Sequence, residues 1–180
     1  MEKFEFEGNT YFYSKKNRKF YDEHYIELSK NENDKVAEYY FSNIINVEDM
    51  TPEEILELAR ELRENWFAGS AIKLLEKYMA DVRPGLEFIK YAMSTLLSCY
   101  RKIGKSQKAI DIGEDYLHKG GQPTPAFLTS LAAACCDEGY YDKAKKYADM
   151  AFAMQGGSKG YNTELSLVYA RIRKDTGIIY

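Results

Sequence analysis

The chain is poor in the residues that carry most recognisable chemistry, with two His, three Cys, one Trp and four Pro among 180 residues. Cys99, Cys135 and Cys136 show no CxxC spacing and no His at ligand distance along the chain, which argues against a zinc site. An odd cysteine number reads as free thiols in a reducing compartment, so the expected location is cytoplasmic. His24 and His118 fall in distant segments, and His118 suits a helix C-terminus, where a basic residue complements the dipole. Charge of one sign is also lacking. With 25 Lys+Arg interspersed among 28 Asp+Glu, the net charge of −3 gives no field for a duplex or an anionic membrane. No apolar run approaches bilayer-spanning length. The opening Met1-Glu2-Lys3-Phe4-Glu5-Phe6-Glu7 has no apolar core of a secretory signal. Gly156-Gly157-Ser158-Lys159-Gly160 lacks the G-x-x-x-x-G-K-[ST] order and follows a helical stretch, so it is read as a turn. No catalytic group, metal or cofactor is expected.

Aromatic residues are abundant instead: 16 Tyr and 9 Phe, with eleven aromatics between Phe4 and Phe41. Alternating Phe4, Phe6 and Tyr11, Tyr13 around Gly8-Asn9 predict a β-hairpin over 3–14, with a two-residue turn pairing Phe6 with Tyr11 and Phe4 with Tyr13. Phe20-Tyr21 is a candidate third strand, which Tyr25–Ser29 would extend. An isolated hairpin is marginal in water, so the module must dock onto a helix, and residues 33–45 supply a helix start signal. Most of these rings are expected in a core.

From Thr51 onward the pattern turns helical. Thr51-Pro52-Glu53-Glu54 is an N-cap with Pro at the first helical position and acids in the first turn. Apolar residues then recur at Ile55, Leu58, Ala59 and Leu62, one helical stripe. Helices are predicted near 52–65, 69–80, 86–102, 106–118, 125–138, 142–154 and 162–175. Composition places a boundary between an aromatic-rich β-containing module, 1–48, and a helical domain, 49–180.

Comparing the chain with itself finds a period. Gly104 and Gly139 are 35 positions apart, as are Ala109 and Ala144. One unit supplies Leu128, Leu131, Ala132, Cys135, Ala144, Ala148 and Ala151; the preceding one supplies Met93, Leu96, Leu97, Tyr100, Ala109 and Gly113. A third lies earlier, at Ile55, Leu58, Ala59, Leu62, Ala71 and Leu75. On these residues the chain resembles tetratricopeptide repeat (TPR) proteins from position 52 to about 177, with three repeats and a terminal helix. Leu97 is bulky where that family prefers Gly or Ala, and Gly113 is small where it prefers an aromatic.

The resemblance implies a mostly α fold: a right-handed TPR-like α-solenoid carrying a small N-terminal β-hairpin module. It also implies a concave groove that holds a peptide or helix of a partner protein. The stripes opposite the buried ones nominate Arg60, Arg63, Tyr91, Thr95, Ser98, Arg101, Thr129, Ser130 and Ala133 as groove residues. Positions used by one subfamily to clamp a chaperone C-terminus carry Leu56, Arg60, Thr95, Ala126 and Ser130 here, so that clamp is absent. The function expected is a protein-binding adaptor or scaffold. The alternative is an accessory nucleic-acid binder, because Lys15, Lys16, Arg18 and Lys19 lie among Tyr11, Tyr13, Phe20 and Tyr21. Acidic neighbours disfavour it, and an enzyme, for which no motif is present, ranks third. The last helix ends in the apolar Ile178-Ile179-Tyr180, which would suit self-association through that helix.

Overall fold

The computed structural model describes residues 1–65, 67–156 and 163–177. Among them the chain is mostly helical, with a small antiparallel sheet at the N-terminus. The elements are β1 (Glu2–Phe6), β2 (Asn9–Ser14), β3 (Lys19–Tyr21), α1 (Lys30–Tyr39), a π-helical turn (Tyr40–Ile44), α2 (Pro52–Glu64), α3 (Ala68–Asp81), α4 (Leu86–Lys102), α5 (Ser106–His118), α6 (Pro125–Asp137), α7 (Tyr141–Met154) and α8 (Thr163–Thr176). The chain divides into two compact units, Met1–Arg83 and Pro84–Tyr180. That division falls at 83/84 rather than at the composition change near 48/49, because α3 packs against both α1 and the π-helical turn.

In the first unit the sheet order is β1-β2-β3. The predicted hairpin forms, but its turn is Glu7-Gly8, not Gly8-Asn9. Both residues have positive φ, 50° and 80°, as a type I′ turn requires. Phe6 therefore faces Asn9, Phe4 faces Tyr11 and Glu2 faces Tyr13. A shift of this size keeps Phe4, Phe6, Tyr11 and Tyr13 on one face, so the sidedness survives while the pairing changes. Phe4, Tyr13 and Phe20 are buried against Tyr40 and Phe41 of the π-helical turn, and Tyr11 is buried beside Phe4 and Phe6. Tyr40 sits at the centre, its ring 5.1 Å from Phe4, 4.6 Å from Tyr13 and 5.4 Å from Phe20. The helix expected over 33–45 starts earlier and is two pieces, since Ile45 N–H donates to Tyr40 O five residues back. That wider turn brings consecutive rings, Tyr40 and Phe41, into the same aromatic cluster. The expected extension by Tyr25–Ser29 shrinks to one bridge, Tyr21 with Glu27.

The capping signals at Thr51 are realised. Thr51 N–H donates to Glu54 Oε2 at 2.8 Å and its hydroxyl accepts from Glu54 N at 3.2 Å, a reciprocal box with Pro52 following. In the second unit Thr124 repeats half of this, accepting from Phe127 N at 3.1 Å ahead of α6. Packing there joins α4 with α5 and α6, α5 with α6, α6 with α7 and α8, and α7 with α8. Ala109, Ala132, Ala134, Ala144, Ala148 and Ala151 are buried at these contacts. Leu97 and Gly113, the two departures from the repeat pattern, compensate each other. A Cβ on Gly113 would lie 3.3 Å from Leu97 Cδ1 and 2.9 Å from Leu131 Cδ1, so the glycine makes room for the bulky leucine. Leu165, Val168 and Ile172 of α8 are buried; Tyr169 turns outward and its hydroxyl donates to Asp149 Oδ1 at 2.7 Å. Residues 157–160 of the glycine turn and the tail 178–180 lie outside the described residues.

Candidate functional site

Within the second unit, α4, α6 and α8 enclose a groove of about 470 Å³. Five of the nominated residues line it together: Ser98 and Arg101 from α4, and Thr129, Ser130 and Ala133 from α6. The α8 wall is Glu164, Leu167, Val168, Ala170, Arg171 and Lys174, a contribution the sequence reading did not assign to the groove. Leu167 is 60% exposed, an apolar side chain offered to the opening.

The expected exposure of the stripe needs correction. Thr95, Thr129 and Ala133 are buried, because neighbouring helices close over the base of the stripe and leave only its upper edge open. Thr129 also turns its hydroxyl inward, donating to Pro125 O at 2.9 Å within its own helix. Thr95 takes no part in the groove lining. Ser98 and Ser130 are half-buried. Tyr91 is exposed, earlier on α4, with Lys90 Nζ 5.3 Å from its ring centroid. Arg60 and Arg63 belong to α2 of the first unit, where Arg60 is exposed and Arg63 reaches Glu64 at 3.2 Å.

Arg101 is not a free groove cation. Its Nε donates to Asp137 Oδ2 at 2.7 Å, and Arg171 approaches the other oxygen at 2.8 Å. Ser106 Oγ donates to Oδ2 at 3.0 Å. One carboxylate at the end of α6 therefore ties together α4, α8 and the first residue of α5. Burial alone would raise the Asp137 pKa, but the hydrogen bonds and charges of Arg101 and Arg171 outweigh it and hold the carboxyl below its usual range. Each guanidinium has five donors, so the contact with Asp137 leaves others for a ligand, and both arginines line the groove. Chemically the result is a shallow trough with small side chains at its base, an apolar flank and fixed cations at one end. Asp137 lies four positions after Ala133, on the same helix face; its role as a shared acceptor was not legible in the sequence, since its partners lie 36 and 34 positions away.

The same unit holds a second network behind the groove. Glu114 accepts from Lys143 Nζ at 2.8 and 3.0 Å and from the Tyr147 hydroxyl at 2.9 Å, fastening α5 to α7. The three cysteines are reduced and buried, and burial pushes the Cys135 thiol up to about 12, far from a reactive thiolate. Among the described residues no group of His, Cys, Asp and Glu is placed to hold a metal ion. No described helix is long and apolar enough to cross a membrane.

Three of the four rings invoked for nucleic-acid binding are in the core, and the fourth, Tyr21, is half-buried. Tyr11, Tyr13 and Phe20 are buried, and burial pushes the Tyr13 phenol up to about 12. Rings committed to the core are not open to stacking on bases.

Comparison with family models, curated proteins and solved structures returns no match to this chain.

Proposed function

We propose that the chain is a TPR-like protein-binding adaptor, a helical-repeat solenoid whose groove between α4, α6 and α8 holds a peptide or helix of a partner. The observation that carries the reading is the convergence of Ser98, Arg101, Thr129, Ser130 and Ala133, taken from equivalent faces of successive repeats, on one trough. The neighbour-to-neighbour packing from α4 to α8 supports it, because stacked helix pairs bury their core between adjacent repeats and leave one face open. So does the small size of the residues at the trough base, which admits a partner backbone closely. An apolar flank at Leu167 and Val168 beside oriented arginines suits an amphipathic segment.

The test is a photo-cross-linking residue at Ser98 or Ser130, with adducts identified by mass spectrometry. The expected result is a protein adduct at both positions that disappears on Leu167→Glu, with no such adduct from exposed Lys146 on α7. Equal labelling from Lys146, or adducts indifferent to Leu167→Glu, would place the contact surface elsewhere.

A further inference from the structure

The first unit contains a cleft of about 780 Å³ that the adaptor reading does not use. One side is the β2–β3 loop, Lys15–Arg18; the others are the start of α1 and the last turns of α2. Five cations line it, Lys15, Lys16, Arg18, Lys19 and Lys30, against two carboxylates, Glu27 and Glu61. The acids are committed. Arg18 pairs with Glu61, and Lys19 Nζ lies 2.7 Å from Glu27 Oε2. Lys15 lies 3.8 Å from Glu2, a loose pair, with Glu54 also within its field and 78% of its side chain exposed. Lys16 and Lys30 have no acid within ion-pair distance among the described residues. Lys16 and Lys30 therefore face one concavity unpaired, beside a loosely paired Lys15, in a chain whose overall charge is negative.

The loop that carries two of them is held in place. Arg18 N–H donates to Ser14 O at 2.6 Å, Asn17 Nδ2 donates to the Tyr21 hydroxyl at 2.7 Å, and Arg18 sits at a φ of 55°, unusual for a non-glycine residue. The Arg18–Glu61 pair then pins the loop to α2. Below it the wall is Tyr13, Phe20 and Phe41, the last from the π-helical turn. These rings are buried and only Phe67, also in the lining, is half-buried, so what the cleft chiefly offers a ligand is its cationic rim.

We propose that this cleft binds a compact ligand carrying a diphosphate or triphosphate group, through Lys15, Lys16 and Lys30. The chemistry favours phosphate over carboxylate. The one planar guanidinium is spent on Glu61, whereas lysines act as point charges that suit the spread charge of phosphate oxygens. Five cations against two carboxylates in the lining also match a polyanion better than a single carboxylate. The volume lies within the range of small-molecule sites and exceeds what inorganic phosphate needs.

The experiment is isothermal titration of the full chain with inorganic pyrophosphate, with ATP and with a short oligothymidylate. Saturable binding of pyrophosphate or ATP is expected, weakening between about 50 and 200 mM salt as an ion-release process does. Similar affinities assign recognition to the phosphates alone; a clear preference for ATP assigns the source to a nucleotide. Lys16→Glu with Lys30→Glu breaks no ion pair of the fold and should weaken binding by at least about tenfold. Lys105→Glu in the second unit should change nothing. Amide shift changes confined to residues 15–19 and 30–33 of the unaltered chain give a readout that needs no variant. Failure of both phosphate probes to saturate at millimolar concentration would overturn the proposal, as would binding indifferent to the double substitution. Tighter binding of the oligothymidylate than of either phosphate probe would overturn it in favour of a single strand. None of these results bears on the groove of the second unit.

Discussion

The two units solve the same problem, building a core from a short chain, with opposite materials. The first also buries Ala59 and Ala71 in its α2–α3 pair, but its three-stranded end has few inward positions, so each must bury a large area. It uses Phe4, Tyr11, Tyr13, Phe20, Tyr40 and Phe41, in ring contact with one another. The second stacks helices whose backbones approach closely, so it buries alanines and one glycine at the crossings and leaves volume to Leu96, Leu97, Phe127, Leu128 and Leu131. A core of rings depends on filling; a core of small residues depends on not overfilling. The units should therefore fail under opposite substitutions.

The sharpest way to break this contrast is truncation in the ring cluster. Tyr40 is fully buried and touches four aromatic neighbours, so Tyr40→Ala should cost about 3–5 kcal/mol, the range for losing a large buried ring. Urea unfolding and hydrogen exchange over residues 2–41 would read it. Tyr40→Phe keeps the ring and loses only the hydroxyl's 2.8 Å donation to Glu2, so it should cost about 0.5–1.5 kcal/mol. Equal costs would mean that the hydroxyl, not the filling, holds the module together. The reverse experiment belongs to the second unit. Ala144→Leu adds volume at a fully buried crossing between α6 and α7 and should cost about 1–3 kcal/mol by overpacking. A neutral outcome there would show a looser interface than the packing implies.

A smaller effect, with a pH signature, comes from Asp137. Its carboxyl is held below the usual range in the folded chain, so it contributes stability that is present above the unfolded pKa and is lost as pH falls through the lower folded pKa. Asp137→Asn should cost about 1–3 kcal/mol near neutrality, from a charged acceptor lost to two arginines. It should also flatten the acid limb of the stability profile below about pH 4, the ordinary aspartate value. An unchanged acid limb would assign that limb to other carboxylates. Because Arg101 serves this network, Arg101→Glu would set two carboxylates against each other and disturb the fold, which makes Ser130 and Leu167 the cleaner probes of the groove.

Much of this architecture is legible in the sequence, and the misses have two causes, one local and one tertiary. Helix limits at Pro52, Gly104, Pro125 and Gly139 follow from caps and turn residues acting locally, and α4 and α5 begin and end where periodicity places them. The hairpin's turn was shifted by one residue because a glutamate, Glu7, takes the left-handed conformation that composition assigns to Asn9. The burial of Thr95 and Thr129 and the sharing of Asp137 depend on which side of a helix its second neighbour covers. That is tertiary information, carried by the packing of α4 on α6 and of α6 on α8, and a stripe drawn on one helix does not contain it.

The finest test of the contrast is at Gly113, where two rules oppose each other. Glycine inside a helix costs roughly 0.5–1 kcal/mol relative to alanine, so Gly113→Ala should stabilise α5 on propensity alone. The added Cβ, however, would stand 2.9 Å from Leu131 Cδ1 and 3.3 Å from Leu97 Cδ1. Both obstacles are the far ends of flexible side chains, which can yield at a modest cost. The two effects nearly cancel, and the single substitution should move stability by less than about 1 kcal/mol in either direction. The informative measurement is the double-mutant cycle with Leu97→Val. If Leu97 and Gly113 occupy one shared space, shortening the leucine makes room for the new methyl, and the pair should be more stable than the sum of its parts by about 0.5 kcal/mol or more. Strict additivity in urea unfolding would show that the two departures from the repeat pattern are independent accidents of sequence.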